Sequence, residues 1–299
     1  MFLQFLISGI LTGSSYIPVA CGLTLIYSTT GVFYFAHGMS YVVAGYLAYW
    51  FVKILHINLL LSIFMALLIT GLFGMACWKL VFSPLQKSKM SPIGLIIASI
   101  ALLILIQNLW FLLNNWIGNN DRVFLQYDLI DRSIEAFDPV IITGAQVIII
   151  PISLIALLGV VLFLKYTQIG CSMRAVSSHR LLAAEQGLRL DWIDLFTFAI
   201  GTMLAGVSAC MDLLDTSVGI DAIRGVRITL FSSVACLIGG AHSLPATALS
   251  CVILGVIRSL SIWKLTGNWE EAITATLLIG FMSVRSLGIS GRKLWKEAA

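Results

Sequence analysis

The sequence predicts an all-α fold, a polytopic bundle of about eight or nine transmembrane helices with a short cytoplasmic coupling helix. Of the 299 residues, 59% are hydrophobic and only 11% are charged, whereas about a quarter of the residues in an ordinary soluble domain are charged. The mean hydropathy is +0.99. Several stretches also approach or exceed the roughly 18 apolar residues that cross a bilayer, where backbone polar groups must be satisfied within the helix.

Nine apolar blocks are candidate crossings of a single membrane domain, 1–299. They cover 3–26, 33–52, 58–81, 92–113, 140–165, 194–214, 227–240, 245–263 and 270–287. The block at 227–240 is short and Gly31 to Gly38 interrupts the second block, so either one crosses or is a broken, re-entrant element that faces protein. The chain runs from Met1 into an uninterrupted apolar helix without a cationic start, so we expect the first segment to be retained.

Lysine and arginine collect in three regions, which we place in the cytoplasm because cationic residues resist translocation. These are the 82–91 loop, the 166–193 loop with the preceding Lys165, and the tail from Arg285. The 114–139 segment carries five acidic residues against two arginines and is predicted to lie outside. It is either a solvated connector or has short structure of its own and a partner-facing surface. Counting back from the first basic loop places the N-terminus outside.

The 166–193 loop predicts a short helix outside the membrane. Ser177 or Ser178 can cap its start, the run from Leu181 to Glu185 favours helix, and Gly187 suits the left-handed position that ends one. A helix of about three turns between two membrane segments either docks into a groove of a motor subunit or lies on anionic headgroups. These residues leave the two alternatives equal.

Stretches along nearly the whole chain carry a family resemblance. They are Gly22 to Tyr27, Phe35-Ala36-His37-Gly38, Phe82-Ser83-Pro84-Leu85, the 166–193 loop, Leu237 to Ala246 and Arg285 to Arg292. In this order they resemble motifs of the branched-chain amino acid ABC permeases of the LivH type, including the asparagine-phenylalanine-alanine-histidine-glycine signature. The chain departs from the family pattern at Tyr34, Met39, Ala241, His242 and Arg285. The departures bear on the substrate more than on the class.

The resemblance implies an importer permease of the bacterial inner membrane, for branched-chain amino acids or a related small polar solute such as urea or an amide. The chain has no glycine-rich loop ending in Gly-Lys-Ser/Thr to hold nucleotide phosphates. The implied partners are therefore two ABC ATPase subunits that bind ATP and Mg, a second homologous permease in a heterodimer rather than a homodimer, and an external solute-binding protein. No cofactor in this chain and no nucleic acid partner is expected.

Two sets of residues form the candidate site. The ATPase coupling set is Arg174, Ala175, His179, Ala183, Ala184 and Gly187, and the translocation pathway or gate set is Phe35, His37, Gly38, Gly239 and Gly240. His37 stands between an aromatic run and the helix-breaking Gly38, so it either contacts substrate or bonds a neighbouring helix's carbonyl and locks the break. We favour the structural role.

Other charges fall near membrane depth, where uncompensated charge costs several kcal/mol, so each is expected to lie near an interface, snorkel or pair. They are Asp194, Asp212, Asp215, Arg227, Arg258 and Arg285. Around one predicted external loop, Asp212, Asp215, Asp221, Arg224 and Arg227 either meet a zwitterion or a binding protein, or form a charged rim, the commoner arrangement. Arg258 is placed near the outer end of its helix.

The chief alternative function is a secondary transporter or channel that works without an ATPase. It requires buried carboxylates along the helices, and Asp and Glu are almost absent from the predicted helix centres. An enzyme is not expected, because the chain has neither an HExxH nor a GxSxG motif nor clustered acids. The six cysteines include no CxxC pair and are interpreted as small buried apolar residues rather than metal ligands.

Overall fold

The computed structural model describes residues 2–117, 122–126, 133–137, 140–215, 218–240, 242–264, 272–276 and 279–280. Its helices are α1 (Phe2–Ser15), α2 (Ile17–Thr30), α3 (His37–Lys53), α4 (Leu59–Cys77), α5 (Ser83–Lys87), α6 (Pro92–Ile117), α7 (Gly144–Tyr166), α8 (Gln168–Ser178), α9 (Arg180–Glu185), α10 (Leu190–Leu214), α11 (Ala222–Gly239) and α12 (Leu244–Lys264). A π-helical segment, Trp78–Phe82, joins α4 to α5. Strands β1 (Ser133–Phe137) and β2 (Val140–Thr143) pair antiparallel.

The predicted polytopic helix bundle is confirmed. Within the described residues, six helices are long and apolar enough to cross a membrane, and the bent pair α1–α2 makes a seventh crossing if it counts as one. Helix α3 has 17 residues, about 26 Å at 1.5 Å per residue, which is close to the bilayer core thickness. The ninth predicted block, 270–287, lies largely outside the described residues.

The first crossing is broken, so the prediction of an uninterrupted helix at the start of the chain is wrong. Helices α1 and α2 have 14 residues each, about 21 Å, and they meet at an angle of 40° at Tyr16. Pro18 lies in the first turn of α2 and has no N–H to continue the hydrogen-bond ladder of α1. The Ser208 hydroxyl donates instead to the Ser15 carbonyl at the break.

Contacts between loops define two ends of the bundle. At the inner end, the Lys87 ammonium lies 3.0 Å from the Asp191 carboxylate, and the Gln86 amide donates to the Thr30 carbonyl at 3.1 Å. The two predicted cytoplasmic loops therefore share one end with the last turn of α2. At the outer end, Val123 pairs with Ile220 in a β-bridge. The β1–β2 ribbon gives the predicted external segment some structure of its own and is an exception to the all-α bundle.

Burial separates the core helices from those that face lipid. Helix α10 is 72% buried over its apolar window and α11 67%, and α10 packs against α2, α3 and α4. Helices α4, α6 and α7 are only 28%, 28% and 17% buried and expose leucine and isoleucine side chains. The polar and charged side chains of α10 from Asp194 to Asp212 are therefore held inside the protein, whereas Asp191 in its first turn is exposed.

A glycine seam joins α1 to α12 at backbone contact. A Cβ added to Gly9 would lie 2.7 Å from the Val256 Cα atom, and one added to Gly255 would lie 2.5 Å from the Gly9 carbonyl oxygen. At Gly13 the same addition would meet the Cys251 carbonyl oxygen at 2.7 Å. Only glycine allows such close approach, as in tightly packed membrane helices.

Candidate functional site

The 166–193 loop, where the sequence analysis predicted one short helix, contains two helices, α8 and α9. The Thr167 hydroxyl caps α8 by accepting from the Gly170 N–H at 3.0 Å, and the chain leaves helical geometry at His179 (φ −150°, ψ 96°). The prediction that Ser177 or Ser178 caps the start is wrong, because both form the last turn of α8. The left-handed position predicted for Gly187 is confirmed, with φ at +82°.

Most of the predicted coupling residues lie on the surface of this loop. Arg174, Ala175, His179, Ala184 and Gly187 are exposed. Ala183 is buried and packs with Met173, Val176 and Ile193, which holds α9 against α8 and α10. The sequence analysis missed the apolar side chains beside them: Leu181 is 81% exposed, Leu182 54% and Trp192 56%. Exposed apolar clusters of this kind mark interaction surfaces.

Arg180 fastens the loop to the bundle. Its guanidinium engages both carboxylate oxygens of Asp194, one at 3.1 Å, and donates to the Thr29 carbonyl at 2.8 Å. Asp194 is fully buried, and two-pronged contacts of this type are among the stronger charged hydrogen bonds. The expectation that Asp194 pairs is therefore confirmed, and the loop is tied to both α10 and the inner end of α2.

An inner cavity of about 360 Å³ lies beside this loop, between α2, α7, α8 and the turn before α12. Its polar lining is Thr24, Ser28, Thr29, Lys165, Arg174, Ser177, His242 and Ser243. The Ser177 hydroxyl is 3.4 Å from Nδ1 of His242, so α8 contacts the α11–α12 turn. Burial lowers the pKa of His242 below its ordinary value of 6.5, which favours the neutral imidazole.

The predicted gate residues lie at two places in the chain's fold, around the start of α3 and at the end of α11. His37 is fully buried, with Nε2 3.0 Å from the Val19 carbonyl oxygen, the geometry expected of the structural role. The Gly38 N–H donates to the Thr229 hydroxyl at 3.0 Å, which brings α3 against α11.

Phe35 lies in the turn just before His37, whereas the two glycines lie at the end of another helix, α11. The Phe35 N–H donates to the Ser99 hydroxyl at 2.6 Å, whereas Gly239 and Gly240 end α11, Gly240 with φ at +95°. All five predicted residues are described, and they line neither the inner cavity nor the outer cavity. Their shared role as a gate stays a prediction.

The outer cavity, of about 210 Å³, was not predicted, although the sequence analysis grouped Asp212, Asp215 and Arg224 of its lining around one external loop. Its polar lining is Ser8, Thr12, Ser15, Tyr16, Gln146, Asp212, Asp215, Arg224 and Arg258. Asp212 and Asp215 are each 2% exposed, so the charged-rim interpretation is wrong for them. Asp212 pairs with Arg224, and the outer position of Arg258 stays a prediction. Among the described residues, no group of three or more His, Cys, Asp or Glu side chains is placed to hold a metal ion.

Asp212 is the centre of the hydrogen bonds beside this cavity. It accepts from the Tyr41 hydroxyl at 2.7 Å and from Arg224 Nη2 at 3.1 Å. Arg224 also lies 3.3 Å from the Tyr41 hydroxyl and 3.4 Å from the Tyr16 hydroxyl. The sequence analysis grouped Asp212 and Arg224 around one external loop, but it had no signal for Tyr16 and Tyr41, which come from helices far away in the chain.

Comparison with known proteins relates this chain to a family of transport proteins. The family profile of the branched-chain amino acid transport system permease component matches residues 5–282. The high-affinity branched-chain amino acid transport system permease protein LivH of Salmonella typhimurium is 28% identical over 303 residues, covering 97% of this chain and 96% of LivH. The corresponding BraD protein of Pseudomonas aeruginosa is 25% identical over 315 residues, with the same coverage.

Among solved structures, PsaBC from Streptococcus pneumoniae in complex with Fab aligns with a TM-score of 0.49 and 18% identity, over 94% of this chain and 91% of that one. This likeness is weak. The family profile, by contrast, spans α1 to α12 and both cavities. The chain belongs to the family of permease components of branched-chain amino acid transport systems.

Proposed function

We propose that this multi-pass inner-membrane permease imports branched-chain amino acids, or a related small polar solute, as part of an ATP-binding-cassette transporter. Family membership supports the transport class, and the names of its relatives specify branched-chain amino acids. The observation that carries the proposal is the exposed apolar surface of α9 at the basic end of the bundle, where Leu181 is 81% exposed.

This surface fits a docking site for an ATPase. Leu181 and Leu182 present apolar area outside the membrane-spanning helices, and Trp192 adds to it from the first turn of α10, as an element that inserts into a protein groove does. The alternative is a helix lying on headgroups, which would turn its cations toward the lipid. Arg180, the cation of α9, turns inward to Asp194 instead. The contacts favour a protein partner.

The docked loop would transmit movement through Arg180. This side chain links α9 to Asp194 on α10 and to the Thr29 carbonyl on α2, so displacement of the loop would displace both helices. We place ATP and Mg on two partner ATPase subunits and the chemistry of hydrolysis there, and expect this chain to catalyse no reaction. A second homologous permease and an external solute-binding protein complete the proposed transporter.

The alternative of a secondary transporter is tested by the buried acids. Two carboxylates are buried on α10, but Asp194 lies in its second turn and Asp212 in its last turn, so neither is at the helix centre. Each is engaged by an arginine, Arg180 or Arg224, and a carboxylate committed to an ion pair is a poor carrier of protons or sodium. The pairing therefore supports an importer whose energy comes from another subunit.

The test changes Leu181 to Asp in the intact transporter. We expect Leu181→Asp to abolish copurification with the ATPase and ATP-dependent leucine uptake, while membrane insertion stays normal. The control is Leu181→Met, which keeps the apolar surface and should retain both activities. Normal copurification and uptake in L181D would refute docking through α9. Leucine transport by the purified chain alone, in liposomes without an ATPase, would instead establish the alternative function.

A further inference from the structure

The inner cavity carries positive charge without a matching acid in its lining. We infer that it is a binding site for an anionic phospholipid of the cytoplasmic leaflet, in which Lys165 and Arg174 receive the phosphate headgroup and an acyl chain lies along α7. The inference goes beyond the proposed function, because it concerns the lipid around the protein and does not depend on which solute is carried.

The charge of the lining favours an anion. Lys165 and Arg174 are its two cations, and it contains no Asp or Glu residue. Within the described part of the chain, neither cation forms an ion pair with a carboxylate. The volume of about 360 Å³ falls within the roughly 300–1,000 Å³ of small-molecule sites. A zwitterionic solute would find no carboxylate here for its ammonium group, whereas the oxygens of a phosphate can contact both cations.

The cavity lies where the lipid headgroups are expected. Helix α7 is long and apolar enough to cross a membrane, and its last two residues are Lys165 and Tyr166. The Lys165 ammonium lies 5.3 Å from the centre of the Tyr166 ring, and Tyr166 is 72% exposed. Lysine and tyrosine at the end of a transmembrane helix are typical of the membrane–water interface. The basic loops place this end on the cytoplasmic side, where the leaflet carries anionic lipids.

An apolar stripe on α7 leads from the bilayer to this cavity. Leu154, Leu158, Val161 and Lys165 follow one another at spacings of four, three and four residues, which puts them on one face of the helix. Leu154 is 47% exposed and Leu158 57%, while Val161 and Lys165 line the cavity. An acyl chain against the two leucines would therefore bring its phosphate to the cations. A free anion makes no use of such a stripe, so the juxtaposition favours a lipid.

The two helices of the 166–193 loop would then meet different partners. Arg180 of α9 turns inward to Asp194, and the exposed leucines of α9 form the proposed ATPase surface. Arg174 of α8 instead lines the cavity together with Thr29 of α2. The Thr29 carbonyl also accepts from Arg180. A lipid bound here would thus join α2, α7 and α8 at the point where the loop is fastened.

The experiment measures how well unlabelled compounds displace fluorescent phosphatidylglycerol from the complete purified transporter in uncharged detergent. The competitors are phosphatidylglycerol, phosphatidylcholine with the same acyl chains, and glycerol 3-phosphate, which has the phosphate but no chain. We expect phosphatidylglycerol to compete at least about tenfold better than either of the others, since each cation near an anionic headgroup contributes about fivefold. Equal competition by the two lipids would overturn the inference, and equal competition by glycerol 3-phosphate would show that the occupant is a free anion.

Two variants assign the cations. Lys165→Gln and Arg174→Gln should each weaken phosphatidylglycerol binding about fivefold and leave phosphatidylcholine nearly unchanged. The matched control is Lys89→Gln, which removes an exposed cation of the same end outside the cavity lining and should bind as wild type does. An equal loss in all three variants would mean that the basic end attracts lipid as a whole, which refutes the site. If Arg174→Gln loses the ATPase, as its place in the predicted coupling set allows, Lys165→Gln decides alone.

The stripe is tested by Leu158→Ser. This change removes apolar area that the acyl chain would cover, so we expect phosphatidylglycerol binding to weaken at least about threefold. The preference over phosphatidylcholine should stay, because it comes from the cations. The control is Ile155→Ser, which is 67% exposed in wild type but lies about 90° around α7 from the stripe. Copurification with the ATPase establishes that both variants fold. Equal loss in both, or no loss in L158S, would contradict the proposed path of the chain.

Discussion

Two arginine–aspartate pairs lie on the same helix, about 27 Å apart along α10 at 1.5 Å per residue, and they differ in what surrounds them. At the inner end, Arg180 engages both oxygens of Asp194 and a backbone carbonyl of α2. At the outer end, Arg224 reaches one oxygen of Asp212, which it shares with the Tyr41 hydroxyl. The inner pair fastens a loop, whereas the outer pair borders a cavity.

The comparison shows that the degree of burial does not distinguish an ion pair that fastens a loop from one that borders a cavity. Both carboxylates are nearly inaccessible, at 0% and 2%, and each would cost several kcal/mol without a partner. What separates them is the neighbouring space and the element that supplies the arginine. The first arginine belongs to a short helix outside the spans, and the second to a core helix beside a cavity with two further charges.

Breaking the inner pair should have the largest effect on stability. Arg180→Leu leaves the Asp194 carboxylate buried without its partner, which costs about 3–5 kcal/mol. We expect a lower melting temperature of the purified protein and loss of transport. The double variant Arg180→Leu with Asp194→Leu should recover much of the stability, because no uncompensated charge remains. A melting temperature for R180L equal to wild type would show that the pair does not fasten the loop.

Breaking the outer pair should cost less. Asp212→Asn keeps the shape of the side chain and leaves Arg224 near the Tyr16 and Tyr41 hydroxyls, so we expect a loss of about 1.5–3 kcal/mol, typical of a hydrogen bond to a charged group. Denaturant or thermal unfolding in detergent measures it. If D212N lowers the free energy of unfolding more than R180L does, the inner pair is not the more important of the two for stability.

Strain in the loop tests the inner end without touching either charge. Gly187 has φ at +82° with open space around it, so Gly187→Val meets backbone strain of about 1–2 kcal/mol rather than a clash. We expect weakened ATPase coupling with normal membrane insertion. Gly159→Val is the control, since Gly159 also faces open space but has no positive φ. Normal uptake in G187V would mean that the loop's conformation does not matter for coupling.

The smallest effect concerns pH at the contact between α8 and the α11–α12 turn. Burial lowers the pKa of His242 in the folded protein, so below pH 6.5 the unfolded chain takes up a proton that the folded one resists. Stability should therefore fall as the pH drops below 6.5 and be full above it. The melting temperature of wild type should show this slope between pH 7 and 5, and His242→Gln should reduce it. An identical slope in both proteins would exclude His242 as its source.

Much of the architecture was predictable because hydropathy and cationic loops report the surroundings of each segment directly. The crossings, the two basic loops at one end and the left-handed Gly187 follow from local composition and turn chemistry. Helix α8 was not predicted, and α9 begins at Arg180 rather than at Ser177 or Ser178. Arg180 is drawn inward by Asp194, a contact that propensities over this stretch do not encode. Tertiary contacts outweighed local preference there.

The outer cavity was missed for a related reason. Its residues come from α1, α2, α7, α10, α11 and α12, and no local pattern connects Tyr16 with Arg258. The sequence analysis grouped Asp212, Asp215 and Arg224 around one external loop, but it did not connect them with Tyr16, Gln146 or Arg258. Pro18 was a sequence signal for the break at Tyr16. The sequence analysis did not use it, because the first block is apolar throughout and was interpreted as one helix.

The glycine seam has a consequence for biosynthesis. The Ser259 hydroxyl donates to the Phe5 carbonyl across a separation of 254 residues, so α1 meets α12, against which it packs, only after the residues between them have been synthesised. At about 5–20 residues per second this wait is roughly 13–50 s. During that time α1 must be held in the bilayer by lipid and by the helices that are synthesised before α12. Premature truncation before α12 would leave the glycine face of α1 without its packing partner.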